Sequence, residues 1–194
     1  MKLQRDFYER ADVVKISREL LGKVLYSRTG KTVTSGIITE TEAYAGITDK
    51  ASHAYNNRRT DRTEIMYSRG GTAYVYLCYG IHHLFNVVTN KKEIPHAILV
   101  RALLPLEGKD IMRKRRGKSI PDEKLCSGPG SMTKAMGITV EKTGIDLLGN
   151  EIWIEDRGIK VDQKKIVIST RIGIDYAEED AKLPYRFVFT SQVL

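Results

Sequence analysis

Ile37-Ile38-Thr39-Glu40-Thr41-Glu42-Ala43-Tyr44 sets two carboxylates into a segment whose β-branched residues favour an extended chain. Side chains alternate along a strand, so Ile38, Glu40, Glu42 and Tyr44 share one face and Ile37, Thr39, Thr41 and Ala43 the other. Two readings of the acidic face are open. On a solvent-exposed edge the carboxylates are simply hydrated. Turned inward, each needs a cation or a hydrogen-bond donor, because an unpaired buried carboxylate is costly or takes up a proton.

Downstream, Ala97 to Leu104 is a near-continuous apolar run, the pattern of a strand buried on both faces, with Arg101 in its middle and Pro105 at its end. A buried guanidinium requires a carboxylate, and Glu40 and Glu42 are the upstream strand acids available, so the two strands are expected to be neighbours or to face one cleft. Between them, Thr72 to Val88 reads as a hairpin turning near Gly80. Tyr74 and Tyr76 fall on one face, and Tyr79 stands at the tip, where an aromatic has little core to fill. An ordinary aromatic-rich hairpin and a tip that inserts into a partner are both compatible with this spacing. The stretch from Ala45, through His53, Arg58, Arg59, Arg62 and Arg69, lacks periodicity and is expected to be a long loop, of the kind that carries function.

Upstream, Asp12 is placed to cap a docking helix with apolar positions Val13, Ile16, Leu20 and Leu21 and a stop at Gly22. Lys23 to Ser27 reads as a strand and Thr29-Gly30-Lys31 as a turn. Beyond Pro105, Glu107 to Lys118 reads as a short helix running into the basic run from Arg113, which has the character of a solvated face. Leu125 to Gly137 reads as a glycine-rich turn feeding a short helix, with proline early and glycine late. The free amides at its start, with Ser127, Gly130, Ser131 and Lys134, form a candidate phosphate site, although the Walker spacing is absent. Glu151 to Glu155, Lys165 to Thr170 and Tyr185 to Phe189 are expected strands, and Asp175 to Lys182 a polar or helical connection. Strands outnumber helices, which points to a mixed α+β fold, and with no repeat or linker a single domain spans residues 1–194.

The composition narrows the function. With 32 basic against 24 acidic residues the chain carries +8, a balance suited to a polyanion. The charged N-terminus and the lack of any apolar run near the ~18 residues of a membrane span lead us to expect a soluble, cytoplasmic protein with no membrane association. Cys78 and Cys126 are too few for a disulfide framework or a zinc cluster, and the four histidines lack the i, i+4 spacing of a helical metal pair, so no metal and no cofactor are expected. No nucleophile elbow or triad is recognisable.

Taken together, Glu40-Thr41-Glu42-Ala43-Tyr44, Asp49, His53-Ala54, Tyr74-Val75-Tyr76, Tyr79-Gly80, Asn86, Val100-Arg101-Ala102 and Leu125-Cys126-Ser127-Gly128-Pro129 strongly resemble the alkyladenine (3-methyladenine) DNA glycosylases, in the same order and over most of the chain. The resemblance implies a curved, mainly antiparallel, open-barrel-like sheet with peripheral helices and a protruding hairpin. It implies hydrolysis of the N-glycosidic bond of alkylated or deaminated purines in double-stranded DNA, by a monomer that associates with the nucleoid through DNA. By the same resemblance, Glu42 matches the general base that activates water and Arg101 a residue that helps to hold that water. Tyr44, His53 and Tyr76 match the pocket around a flipped base, and Asn86 a residue that limits which purines fit. Tyr79 matches the side chain that enters the duplex, and Ile172 a position whose backbone carbonyl lies near the water. Glu40 matches no catalytic role. Thr63, Tyr67 and Gly70 depart from the family's usual Asn, Phe and Pro, which bears on the rigidity of the loop rather than on the chemistry.

A base cannot be cut while stacked, so the nucleotide must be rotated out at a cost of a few kcal/mol, with Tyr79 filling the gap. No lysine is matched as a nucleophile, so base loss without strand cleavage is expected. Two rivals remain. A carbohydrate glycosidase would use Glu40 and Glu42, about 7 Å apart at i and i+2, as an inverting pair. A non-catalytic nucleic-acid module would explain the charge and the tyrosines but not the acids.

Overall fold

The structure, a computed structural model, describes residues 1–117 and 119–189. The chain enters through a single helical turn, α1 (Arg5–Tyr8), and then α2 (Val13–Glu19), whose first turn is capped by Asp12 accepting the Lys15 amide at 2.8 Å. The helix stops at Glu19, before the expected Gly22. Gly22, at φ +81°, instead turns the chain so that its amide reaches the Ile38 carbonyl. A hairpin follows, β1 (Val24–Thr29) and β2 (Thr32–Tyr44), joined across Gly30-Lys31. The second hairpin is β3 (Ala73–Cys78) and β4 (His82–Thr89), and β5 (His96–Pro105) lies beside it. Three short helices come next, α3 (Lys109–Arg116), α4 (Asp122–Leu125) and α5 (Pro129–Met136), then β6 (Ile152–Glu155), β7 (Val167–Ser169) and β8 (Arg186–Val188). The expected extension of α3 to Lys118 reaches a residue outside the described ones.

All strand pairs are antiparallel, in the order β3-β4-β5-β2-β1-β6, and the sheet curls into a half-barrel. β2, thirteen residues long, is its axis: β5 runs along one edge, while β1 and then β8 share the other. This is the mixed α+β, mainly antiparallel fold that the resemblance implied. Among the described residues no helix is long and apolar enough to cross a membrane.

Strand alternation sorts the two faces. Ala73, Val75, Phe85, Val87, Ile98 and Val100 enter the main core against α2, α3 and α5, so the helices cover that face. Tyr74, Asn86, Val88, Ala97, Leu99 and Arg101 point the other way, where the long loop after β2 closes over them. The acid-bearing strand follows the same rule beyond residue 40. Thr41 and Ala43 turn inward, with the Thr41 hydroxyl donating to the Ser17 carbonyl of α2 at 2.9 Å, and Glu40, Glu42 and Tyr44 face away. Ile38 breaks the expected alternation. Ile38 pairs with Leu103, Glu40 with Ala102 and Thr41 with Val100, which leaves Thr39 and Arg101 as the extra residue of a bulge on each strand. The first bulge lets Ile37 and Ile38 both sink into the core.

The loop from Ala45 to Thr72 is less irregular than the sequence suggests. It contains three short 3-10 turns, at Gly46–Thr48, Tyr55–Asn57 and Glu64–Tyr67. The residues that depart from the family's usual choices tie it down: the Thr63 hydroxyl donates to the Arg58 carbonyl, and the Tyr67 hydroxyl to Asn57 Oδ1. At Gly70 a Cβ would stand 2.6 Å from the Tyr8 carbonyl oxygen, so the close approach of α1 requires glycine there. The basic run on α3 is engaged more than a solvated face would be. Arg113 bridges Asp110 and Asp122, Arg115 donates to the Ala135 carbonyl near the end of α5, and Arg116 donates to the Leu125 carbonyl.

Candidate active site

The two bulges place Glu40, Glu42 and Arg101 in one cluster. Arg101 Nε donates to Glu40 Oε1 at 2.7 Å, and its Nη1 lies 3.3 Å from Glu42 Oε1. The buried arginine and the two strand acids are therefore partners, and the solvent-exposed reading of the acidic face falls: Glu42 has no exposed surface. Glu40 also accepts from Arg186 Nε at 2.7 Å, which clamps β8 to β2 and gives this acid a structural task.

Glu42 has two further donors. The Tyr44 hydroxyl reaches Oε2 at 2.9 Å and the Ile172 amide reaches Oε1 at 2.9 Å. The resemblance directed attention to the Ile172 carbonyl; the contact the structure shows is through its N–H. Burial pushes the Glu42 carboxyl above its ordinary range, against the opposing pull of Arg101, the Ile172 amide and the Tyr44 hydroxyl. For Arg101 burial opposes the charge, but Glu42 and Glu40 outweigh it and its pKa is raised. Burial, with Glu42 next, drives the Tyr44 phenol far up, so it stays a hydrogen-bond donor.

Tyr44, Arg101 and Ile172, the three groups that hold Glu42, all line one cavity of about 370 Å³, and Glu42 sits directly behind them. The size suits a planar heterocycle. His53, Tyr76 and Asn86 line the same cavity, so the candidate pocket residues come together there. His53 and Tyr76 rings meet edge to face at 4.7 Å, Tyr74 and Tyr76 lie 5.4 Å apart, and His53 Nδ1 is 2.8 Å from the Tyr74 hydroxyl. Burial, then Arg62 and Arg58, push the His53 imidazole down to about 4, so it is neutral near pH 7. Asn86 donates to the Tyr74 carbonyl at 3.2 Å, which fixes its amide against the cavity wall.

The hairpin tip stands at the mouth. Tyr79 also lines the cavity, is 90% exposed and has φ +50°, a left-handed conformation unusual for a bulky residue. Gly80 beside it is also left-handed. The candidate phosphate residues are outside the cavity lining. Ser127 donates to the Lys124 carbonyl, and Gly130 packs so closely on His82 that a Cβ there would lie 2.8 Å from the imidazole Nδ1. With Thr133 donating to the His83 carbonyl, this anchors α5 to the start of β4, just after the hairpin tip, and Ser131 and Lys134 lie on the same helix.

Sequence reading passed over one buried pair that shapes the site. Arg171 donates to both carboxylate oxygens of Asp49, at 2.5 and 2.9 Å, and to the Ala43 carbonyl at 3.0 Å, with its guanidinium carbon 4.8 Å from the Tyr44 ring centroid. It thereby fixes the segment whose next residue, Ile172, donates to Glu42. Its signal was a charged residue directly before Ile172, too little without knowledge of its burial.

The site therefore combines an aromatic pocket on the loop-covered face of a half-barrel sheet, a buried carboxylate behind its wall and an exposed aromatic at its mouth. Residues 6–193 match the family model described as methylpurine-DNA glycosylase. Three relatives carry the name "Putative 3-methyladenine DNA glycosylase". That of Chlamydia abortus is 47% identical, over 96% of this chain and 97% of its own. That of Chlamydia pneumoniae is 43% identical, over 98% and 96%, and that of Clostridium acetobutylicum 44%, over 96% and 93%. The chain belongs to the methylpurine-DNA glycosylase family. It is a DNA glycosylase, and DNA is its substrate.

Proposed function

We propose that this chain, acting as a single domain and a monomer, excises alkylated or deaminated purines from duplex DNA by rotating the damaged nucleotide into the cavity. The observation that carries this reading is the position of Glu42: a buried carboxylate whose three partners, Tyr44, Arg101 and Ile172, all face an aromatic slot of the right size for a purine. Tyr79 would take the vacated place in the stack, and Tyr44, His53 and Tyr76 would hold the base, favouring rings made electron-poor by the lesion. The glycosidic C1′–N bond breaks and the base departs with the bonding pair, leaving oxocarbenium character on the sugar. A water attacks C1′ and gives a proton to Glu42, with Arg101 fixing the carboxylate. The products are a free base and an abasic site. Among the described residues no lysine lines the cavity, which supports hydrolysis over imine formation and strand cleavage. The relatives' name points to 3-methyladenine as one substrate base.

Treating methylated duplex DNA with the protein and separating the small molecules tests this directly. Release of methylated purines, with strands that break only after alkali, is the expected result. An unchanged duplex would leave the non-catalytic nucleic-acid module, and cleavage of an oligosaccharide instead would leave the sugar hydrolase. Glu40, held between Arg101 and Arg186, is poorly placed for the acid role that a sugar hydrolase would need.

A further inference from the structure

Arg62 lies in the loop between β2 and β3 and takes no part in the cluster around Glu42. Its guanidinium carbon is 4.7 Å from the centroid of the Tyr76 ring, its Nη2 is 3.4 Å from His53 Nε2, and it lines the cavity. Tyr76 and His53 are two of the three rings assigned to the flipped base. A flat cation therefore rests on the aromatic surface where the base is to stack. Two other arginines of the loop are occupied elsewhere, Arg59 with Glu64 and Glu93 and Arg69 with Glu9. Among the described residues Arg62 has no carboxylate within ion-pair distance, so the slot and solvent alone hold it. An exposed cation–π contact is a weak restraint, and a guanidinium is the side chain best matched to a phosphate.

We propose that Arg62 is a displaceable plug of the base pocket: in the free protein it covers the Tyr76–His53 surface, and on the duplex it moves to a backbone phosphate, opening the pocket as DNA is engaged. The proposal rests on the glycosylase reading of the cavity. It gives one residue opposite effects on two ligands. A free base must displace the plug with nothing gained elsewhere, whereas a duplex supplies the phosphate that draws it away. A cationic alkylated purine sharpens the exchange, because a guanidinium left in the slot would repel it.

The test is equilibrium dialysis of free 3-methyladenine against wild type, Arg62→Ala and Arg62→Lys, beside duplex affinity measured over a range of salt. Arg62→Ala is expected to bind the free base about two- to fivefold more tightly, the ratio equivalent to an exposed cation–π contact of ~0.5–1 kcal/mol. It should bind duplex more weakly, with the slope of log affinity against log salt reduced by about one. Arg62→Lys should keep the wild-type slope, since an ammonium still neutralises a phosphate, while gaining free-base affinity through loss of the flat stacking group. Unchanged or weaker free-base binding by Arg62→Ala, or an unchanged salt slope, would overturn the plug. Base release by wild type from methylated duplex separates the two failures: release with no Arg62 effect refutes the plug alone, and no release refutes the glycosylase reading beneath it.

Discussion

Glu42 is held in a state that costs the fold something. Its carboxyl is fully buried and burial raises its pKa, so the folded protein binds this proton more tightly than the unfolded chain does. The linkage sign follows: the group favours folding below the unfolded value, and that advantage is lost as pH rises through the raised folded value. Glu42→Gln carries no such dependence, and Arg101 keeps Glu40 as a partner. We therefore expect the variant to melt above wild type at pH 7 and to lose that margin near pH 4, about the unfolded carboxylate range, in matched thermal scans. Wild-type melting equal to the variant at both pH values would contradict the burial penalty. The same ionisation should govern rate, with single-turnover base release rising with pH through the raised Glu42 value. His53 is already neutral there and should add no inflection near its ordinary value. The pairing of Arg101 with the acids was legible from the sequence, because a charge inside an apolar run demands a partner. Full burial of Glu42, with Glu40 diverted to Arg186, was not legible, since it depends on where β8 returns.

Among the elements, the β3–β4 hairpin best separates fold from function. Its three-residue tip, Tyr79-Gly80-Ile81, puts a bulky ring at φ +50° and leaves it 90% exposed, so Tyr79 contributes little packing and carries backbone strain. Glycine accepts that conformation freely. Tyr79→Gly is thus expected to be neutral or to stabilise by up to about 1 kcal/mol in denaturant unfolding, relief of strain being offset by unfolded-state entropy. On well-paired lesion duplexes it should lower base release, and less so where a mismatch has already weakened the stack. A loss of several kcal/mol of stability would make Tyr79 a structural residue, and equal activity on both duplexes would remove it from flipping. The hairpin and the polarity of α5 were readable because turn glycines and an early proline are local signals. The paired bulges at Thr39 and Arg101 were not, because register belongs to two strands at once.

Across the whole molecule, the buried Asp49–Arg171 pair ties the loop after β2 to a segment 122 residues later and sets the Ile172 amide on Glu42. Removing one partner of a buried pair strands the other, so Arg171→Met should cost ~3–5 kcal/mol in stability. Below its lowered melting point it should still reduce kcat more than duplex affinity, because the lost contact lies behind Glu42, the proposed general base. A variant that folds weakly yet turns over normally would show that the Ile172 amide is not needed. The periodicity that reveals strands says nothing of this loop, whose order comes from such distant contacts and from hydroxyls bonded to backbone. Net charge, by contrast, was legible at once but overstated the free basic surface: Arg101, Arg115, Arg116, Arg171 and Arg186 all spend donors inside the molecule.

The central claim is that Glu42, and not Glu40, activates water at the bound lesion. The measurement that bears on it most directly is the single-turnover rate of base release from one methylated duplex by Glu42→Gln and Glu40→Gln, with duplex affinity determined for both. Loss of a general base lowers rate by ~10²–10⁴-fold, so Glu42→Gln should fall by at least that much while binding duplex as wild type does. Glu40→Gln should lose stability through its two arginines and retain turnover. An inactive Glu40→Gln beside an active Glu42→Gln would contradict the account.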